Sequence, residues 1–431
     1  MVGSQNNQDI LQPYLRIQKT KEICQLTIGA KSDVMNLGRS AAEFLLPMMG
    51  MDGVRTAIIT QDPIYHFPAR VQEKVPMVRV DEITDAGALL TAAHQIQKHF
   101  GKAHRILAIN EQIQLPVAQV RQNLGIDGMS VETIRNFRDK ALMKERFREA
   151  GVPCARHVAV HDKQTARKFV EEVGFPLCLK PIDGAAAQAT FKVDSPETLE
   201  EILHASSPTA QRPVQLEEFV TGEESSFETL SVNGEHRWHS LTHYDPTPLN
   251  VVANPWIQWR VLSPVDTDAP RYDDIREAGC KALTCLGMDT GLTHMEWFRR
   301  DDGSLAVNEV AARPPGAQIT TLMNRSHDMD IFQIWAHMMV YDELLPIPER
   351  KYATGAAYLR GLGGARVNGV HGLEVLKELG EMVTDVEIPH VGQPASNTYE
   401  GEGYIVVRHP ETERVREALH LIADRVRVEM I

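Results

Sequence analysis

Along this chain, apolar residues switch between strand-like runs and helix-like spacing. Residues 22–30, EICQLTIGA, read as a buried strand, 36–50, NLGRSAAEFLLPMMG, as a following helix, and 54–60, VRTAIIT, as the next strand. ALLTAAHQIQKHFG and RILAIN repeat the rhythm up to about residue 112, which predicts β-α-β units around a parallel sheet. QLPVAQVRQNLGI reads as an amphipathic helix. SVETIRNFRDKALMKERFREAG opens on an imperfect capping box, with Thr133 where Glu or Gln would follow Ser130, and closes at the C-cap glycine Gly151. These helices are expected to form a connector.

From residue 152 the alternation returns in ARHVAV, TARKFVEEVG, PLCLKPI, AQATFKV, PETLEEILHAS and VQLEEFV. ESSFETLSVNGEHRWHSL alternates apolar and polar positions about Asn233-Gly234, the pattern of an antiparallel hairpin. The proline-rich stretch 242–270 is expected to be mostly loop, and His243–Arg260 within it, with Tyr244, Trp256 and Trp259, is a candidate pocket wall or simple packing. A helix at about 271–287, a hairpin over 293–316 and a helix at about 328–345 follow, and LPIPER marks a boundary. The remainder reads as glycine-punctuated strands and one helix, ETERVREALHLIADR. The predicted class is mixed α/β (α+β), with an N-terminal α/β domain over 1–112, a central region over 113–345 and a β-rich C-terminal domain over 346–431.

At 431 residues the chain exceeds what one core usually supports, and 43% hydrophobic with 24% charged residues suits a multi-domain globular protein. The 58 acidic against 45 basic residues, a formal charge of -13, argue against a nucleic-acid partner or an anionic membrane surface while leaving room for a local phosphate site. Five cysteines at 24, 154, 178, 280 and 285 show neither a CxxC pair nor zinc spacing, so buried reduced thiols are expected. The opening MVGSQNNQDILQPYLRIQKTKE is polar where a signal peptide needs an apolar core, and no run of about 18 apolar residues follows, so a cytoplasmic location is expected.

The hairpin THMEWFRRDDGSLAVNEVAARPPG carries the first candidate chemistry. Gly303 suits the turn. By the period of two, Glu309 should share a face with Leu305 and Val307, and Asn308 should point the other way. Two carboxylates about 4 Å apart repel by roughly 4 kcal/mol at an effective dielectric near 20. Glu296 and Glu309 therefore suggest either a hard cation such as Mg²⁺ or Mn²⁺ between them, or ordinary salt-bridged strand residues. Arg313, just beyond, suits a carboxylate or phosphate, or a plain surface position. His294 shares the side of Glu296 and either touches substrate or is a core histidine.

Lys180 ends an apolar strand before the small-residue turn Asp183–Ala187, whose Gly184, Ala185 and Ala186 would let backbone amides approach a phosphate, although neither GxxxxGK[ST] nor GxGxxG is present. Lys140 taken alone is one lysine on a helix. Glu217, Glu218, Phe219 and Val220 end a strand that can offer main-chain groups to an adenine, with Glu224 available to ribose hydroxyls, although acidic residues at turns are common.

Taken in order, RDKALMKERFREAGVP, FPLCLKPIDGAAA, LEEFVTGEE and HMEWFRRDDGSLAVNEVAARPPG resemble the ATP-grasp superfamily, and within it the carboxylate–amine ligases. The resemblance covers about residues 130–345. It implies an ATP-binding region with a small lobe over about 137–215 and a large lobe over about 216–345. It further implies that Lys140, Lys180 and the Gly184–Ala186 turn meet ATP phosphates, Glu217 to Val220 line the adenine, Glu224 binds ribose, Glu296 and Glu309 hold two Mg²⁺ ions, and Arg313 acts near the acyl carboxylate. Many relatives place asparagine two residues after the second glutamate, where this chain has Ala311; the ExxxR form is similar to bacterial L-amino acid ligases. The implied function is ADP-forming ligation of an amino acid or similar carboxylate to an amine, in a protein that by family habit is a homodimer. A bicarbonate- or formate-activating enzyme and a non-catalytic nucleotide-binding regulator are the alternatives.

Overall fold

The structure, a computed structural model, describes residues 23–29, 43–44, 46–182, 190–254, 256–396 and 398–431. They fall into two compact units that divide between Gly128 and Met129. In the first unit, β1 (Ile23–Gly29), β2 (Val54–Thr60), β3 (Met77–Arg79) and β4 (Arg105–Leu107) form a sheet in the order β3-β2-β1-β4. All of its pairs are parallel, as the β-α-β rhythm requires. Helix Ala86–Phe100 starts where the Asp85 carboxylate accepts from the Gly87 N–H at 2.7 Å, and it packs Leu89, Ala93 and Ile96 against Ile59 and Ile106. The helix expected over 36–50 lies largely outside the described residues; 48–50 form one 3₁₀ turn.

In the second unit, β5 (His157–Val160), β6 (Leu177–Pro181), β7 (Phe191–Val193) and β8 (Val214–Glu218) make a small antiparallel sheet in the order β5-β8-β6-β7. Helices Lys163–Val173 and Pro196–Ser206 cover it through Ala166, Phe169, Leu199 and Leu203, which join Leu177, Leu179 and Leu216 in one core. The larger sheet contains β9 (Glu223–Val232), β10 (Glu235–Asp245), β11 (Arg260–Ser263), β12 (Gly291–Arg299), β13 (Leu305–Ala311), β14 (Ala353–Leu359), β16 (Val383–Glu387) and β17 (Gly403–His409). Its order is β13-β12-β9-β10-β11-β14-β17-β16, while β15 (Val367–His371) pairs separately with β18 (Arg427–Met430). The β9–β10 turn has Asn233 and Gly234 at φ 49 and 78, the positive values that the Asn-Gly pair tolerates.

Two expectations change here. The helices after Ser130 are no passive connector. Asp139 leaves helical geometry, ends helix Val131–Arg138 and caps helix Lys140–Ala150 by accepting from Ala141 and Leu142 N–H at 3.0 Å each. Phe137, Met143 and Phe147 from these helices enter the same core as Ile275, Leu283, Met295, Trp297 and Val310. The stretch expected to be loop also contributes β11, a central strand between β10 and β14. Its four residues follow a proline-rich run, and a strand so short gives little periodicity to read.

Among the described residues no helix is long and apolar enough to cross a membrane. Cys154, Cys178, Cys280 and Cys285 are free thiols, each half-buried rather than fully enclosed.

Gly222, between β8 and β9, has φ 130, and an added Cβ there would collide with the backbone of Arg299 and Arg300. Gly303 also has positive φ, 83, but opens onto empty space. Gly222→Ala should therefore lower unfolding free energy by about 2 kcal/mol or more in urea denaturation, against about 1 kcal/mol for Gly303→Ala. Equal losses in the two variants would contradict the close approach at Gly222.

Candidate active site

Strands β12 and β13 set the centre of the site. Glu296 stands opposite Glu309, but the next aligned pair is Trp297 with Val307, so Asn308 is an extra residue and β13 carries a bulge. A bulge sets two residues against one and re-aims the side chain that alternation would send away. Val307 and Val310 accordingly both enter the core with Met295 and Trp297. Asn308 and Glu309 share the opposite face: Asn308 Nδ2 donates to Glu296 Oε2 at 3.4 Å, and Lys180 Nζ donates to Asn308 Oδ1 at 3.2 Å. This corrects the reading that placed Glu309 with Leu305 and Val307 and turned Asn308 away. The sequence did carry a signal, since Val-Asn-Glu-Val doubles the polar position where strict alternation allows one.

Lys140 and Lys144 lie one helical turn apart and so share a face of helix Lys140–Ala150. Lys140 Nζ is 3.2 Å from Glu309 Oε2, and Lys144 Nζ is 3.1 Å from Glu217 Oε1. Lys180, on β6, completes the group at 2.9 Å from Glu217 Oε2. The Lys140 N–H donates to the Ile182 carbonyl at 3.2 Å, fixing the helix start beside the end of β6. Lys144 was not among the residues the sequence singled out; its spacing of four from Lys140 was the available signal.

Burial would raise the Glu217 acid, but Lys144 and Lys180 outweigh it and push the pKa down to about 2. Burial lowers Lys180, yet Glu217 and Glu309 more than reverse this, whereas Lys144, fully enclosed and repelled by Lys180, is the weaker cation. At the other end, burial opposes ionisation of Glu309, and Lys140 with Lys180 still hold it below the ordinary range. Glu296 is raised by burial and then by Glu309; Glu224, on β9, is raised further by burial, Glu296 and Glu309. The site is thus polarised, with cations at one end and an excess of carboxylates at the other. The carboxylate oxygens of Glu296 and Glu309 are hard donors that suit a divalent cation, and such a charge would relieve their repulsion. Among the described residues there is no group of three or more His, Cys, Asp or Glu suited to a metal, so further ligands would be water or phosphate oxygens.

His294 lies on the same face as Glu296. Its Nδ1 is 2.8 Å from Glu228 Oε1, and its Nε2 is 3.5 Å from the Tyr244 hydroxyl and 3.9 Å from Glu296 Oε1. Its cross-strand partner on β13 is Ala311. Arg313 is half-buried and donates through Nη1 to the Pro314 carbonyl at 2.8 Å. It acts electrostatically on Tyr399, whose hydroxyl burial pushes up and which also feels Glu400, Glu296 and Glu224. Tyr399 came from no motif. It packs edge-on to Trp259 at 4.8 Å, and the buried Trp259 stacks on Tyr358 at 4.8 Å, so this part of the 243–260 stretch packs into the protein interior.

Of the strand-end residues, Glu217 turns its side chain to the lysines. Glu218 pairs with Arg156 at 3.0 Å and Arg300 at 2.6 Å. Phe219 is half-buried, its N–H donating to the Pro176 carbonyl at 3.2 Å, and Val220 is half-buried beside it. Gly184, Ala185 and Ala186 lie outside the described residues.

A family model for the ATP-grasp domain matches residues 145–326. The chain is 25% identical over 299 residues to an L-arginine-specific L-amino acid ligase of Bacillus subtilis, covering 67% of this chain and 70% of that one. It is 25% identical over 276 residues to an alanine–anticapsin ligase of Bacillus subtilis strain 168, covering 59% and 57%. Among solved structures, an L-amino acid ligase from Bacillus licheniformis superposes with a TM-score of 0.73 at 18% identity over 96% of this chain and all of that one. An N5-carboxyaminoimidazole synthetase from Staphylococcus aureus complexed with ADP superposes with a TM-score of 0.65 at 15% identity, covering 94% and 98%. The chain carries an ATP-grasp domain and has the ATP-grasp fold.

Glu217 binds its proton more weakly folded than unfolded, so its contribution to stability is full above the ordinary value of 4.5 and disappears as pH falls toward about 2. Glu217→Gln should remove this component. Its unfolding free energy, measured by urea titration at several pH values, should change less between pH 4.5 and 2 than that of wild type, with a loss at neutral pH of about 3 kcal/mol from two buried lysines left without their anion.

Proposed function

We propose that this protein is an ATP-dependent carboxylate–amine ligase that joins an amino acid to a second amine, most simply another amino acid, through an acyl phosphate. The observation that carries the reading is the convergence of Lys140, Lys180, Glu296 and Glu309 from a helix, the small sheet and one hairpin of the large sheet. The amino acid ligases similar to this chain favour an amino acid as the activated acid.

ATP is bound with its base near the main chain of Glu218 to Val220, its ribose near Glu224, and its phosphates against Lys140 and Lys180. Glu217 acts here by anchoring the lysines. Glu296 and Glu309, with Asn308 beside them, are the residues that would hold Mg²⁺. When bound, that ion neutralises charge on the transferring phosphoryl group. A substrate carboxylate oxygen attacks the γ-phosphorus and the bond to ADP breaks. The amine nitrogen then attacks the acyl carbon, the C–O bond to phosphate breaks, and the nitrogen loses a proton. Arg313 holds the anionic acyl end and stabilises the charge that develops there. No covalent enzyme nucleophile is required.

A panel of amino acids, assayed for phosphate release and by mass spectrometry, should show ADP and phosphate forming only with an acid and amine together. Glu309→Ala and Arg313→Ala should each lower kcat by about 10²–10³-fold with folding intact by circular dichroism. Full activity in both variants would remove the site assignment, and bicarbonate-dependent turnover without an amine would move the protein to the carboxylating branch.

A further inference from the structure

Glu228 lies on β9 directly opposite His294 on β12, in a position that packing alone does not favour. Its side chain is completely buried, and Oε1 is 2.8 Å from His294 Nδ1. Oε2 is also buried and has no hydrogen-bond partner. A buried carboxylate with an unsatisfied oxygen is costly, and an apolar residue or glutamine would suit a purely structural position better. The charge does have a counterweight. Arg350 feels Glu228 electrostatically, and its guanidinium is fixed next to it, with Nη2 donating at 2.7 Å to Ser240 Oγ, the residue opposite Glu228 on β10.

An ionised carboxylate has no hydrogen to donate, so the 2.8 Å contact requires the proton on His294 Nδ1. In the neutral imidazole that leaves a lone pair on Nε2, directed to the side where Tyr244 and Glu296 lie at 3.5 and 3.9 Å. Both distances are too long for strong hydrogen bonds, so Nε2 keeps its capacity to accept. An acceptor beside carboxylates attracts an N–H group and repels an anion. The anionic acyl end already has Arg313.

We infer that Glu228 is a positioning residue that fixes His294 in the Nδ1–H tautomer, so that Nε2 accepts a hydrogen bond from the attacking amine and orients its nitrogen toward the acyl carbon. This rests on the ligase reading above and assigns the amine side of that site.

The test uses the full chain with Glu228→Gln, Glu228→Asp, His294→Asn and the double variant Glu228→Gln/His294→Asn. Glutamine keeps shape and burial but can donate to Nδ1 and so release the other tautomer. Glu228→Gln should lower kcat/KM for the amine at least about tenfold, leave KM for ATP within about twofold, and not reduce the melting temperature. Glu228→Asp, which keeps the carboxylate, should recover part of the loss. In the His294→Asn background the glutamine substitution should cost nothing further. Long-range ¹H–¹⁵N spectra of the ATP-free protein, with the His294 signal assigned by its absence in His294→Asn, should show protonated Nδ1 in wild type and a shifted tautomer in Glu228→Gln. Wild-type amine kinetics in Glu228→Gln, additive losses in the double variant, or an unprotonated Nδ1 in wild type would overturn the inference. So would a changed Mg²⁺ requirement with unchanged amine kinetics, which would place His294 at the metal. If wild type turns over ATP without any amine, the ligase reading and the amine role fail together; amine-dependent turnover with unaltered Glu228→Gln defeats the inference alone.

Discussion

The active end of the second unit is held by a requirement to neutralise buried charge. Glu217 is shared by Lys144 and Lys180 at 3.1 and 2.9 Å, and all three side chains are almost completely buried. Removing one partner from such a group leaves an ion with no solvent to stabilise it, a penalty of several kcal/mol. The group therefore fixes the relation of three elements: helix Lys140–Ala150, β6 and β8. The Lys140–Glu309 contact of 3.2 Å extends the restraint to the large sheet. The small sheet and the hairpin have separate apolar cores, so the contacts of Lys180 with Glu217 and Asn308 help hold the two together where those cores meet.

The bulge at Asn308 is the second device. Without it, period-two alternation would put only one of Asn308 and Glu309 on the site face. With it, both face Lys180 and Glu296, while Val307 and Val310 still fill the core. One inserted residue concentrates polar groups at the site without sacrificing packing behind it.

Legibility followed the range of the interactions involved. The strands, most helices and the Asn233-Gly234 turn come from local periodicity and turn chemistry, and they could be read directly. Lys140, Lys180, Glu296 and Glu309 were individually ambiguous, and their order along the chain was what singled them out. The residues missed act across the fold: Lys144 through Glu217, Asn308 through an irregular register, Glu228 through a histidine 66 residues away, and Tyr399 through Trp259. Nothing local distinguishes a strand glutamate whose side chain is buried from one whose side chain is exposed. Glu217 is the instructive case. Its place at a strand end suggested contact with a base, but two lysines hold its side chain, and only the main chain beyond it stays available.

The polarisation of the site links its two expected ligands. A triphosphate arriving alone would meet Lys140 and Lys180, but also the carboxylates of Glu296, Glu309 and Glu224. A divalent cation arriving alone would have to compete with Lys140 for Glu309, since those groups already form an ion pair. If the two arrived together, the cation would compete with Lys140 for Glu309, and the ammonium so released would be free to meet phosphate oxygens. Each ligand thereby removes a penalty the other would face, the condition for positive coupling between two binding events. Glu296 and Glu224, raised by burial and by their carboxylate neighbours, are the groups whose ionisation such a cation would favour most. On the ligase reading, selectivity for a metal–nucleotide complex over either component would follow from how the chain balances its own charges, with Lys140 as the side chain that would change partners.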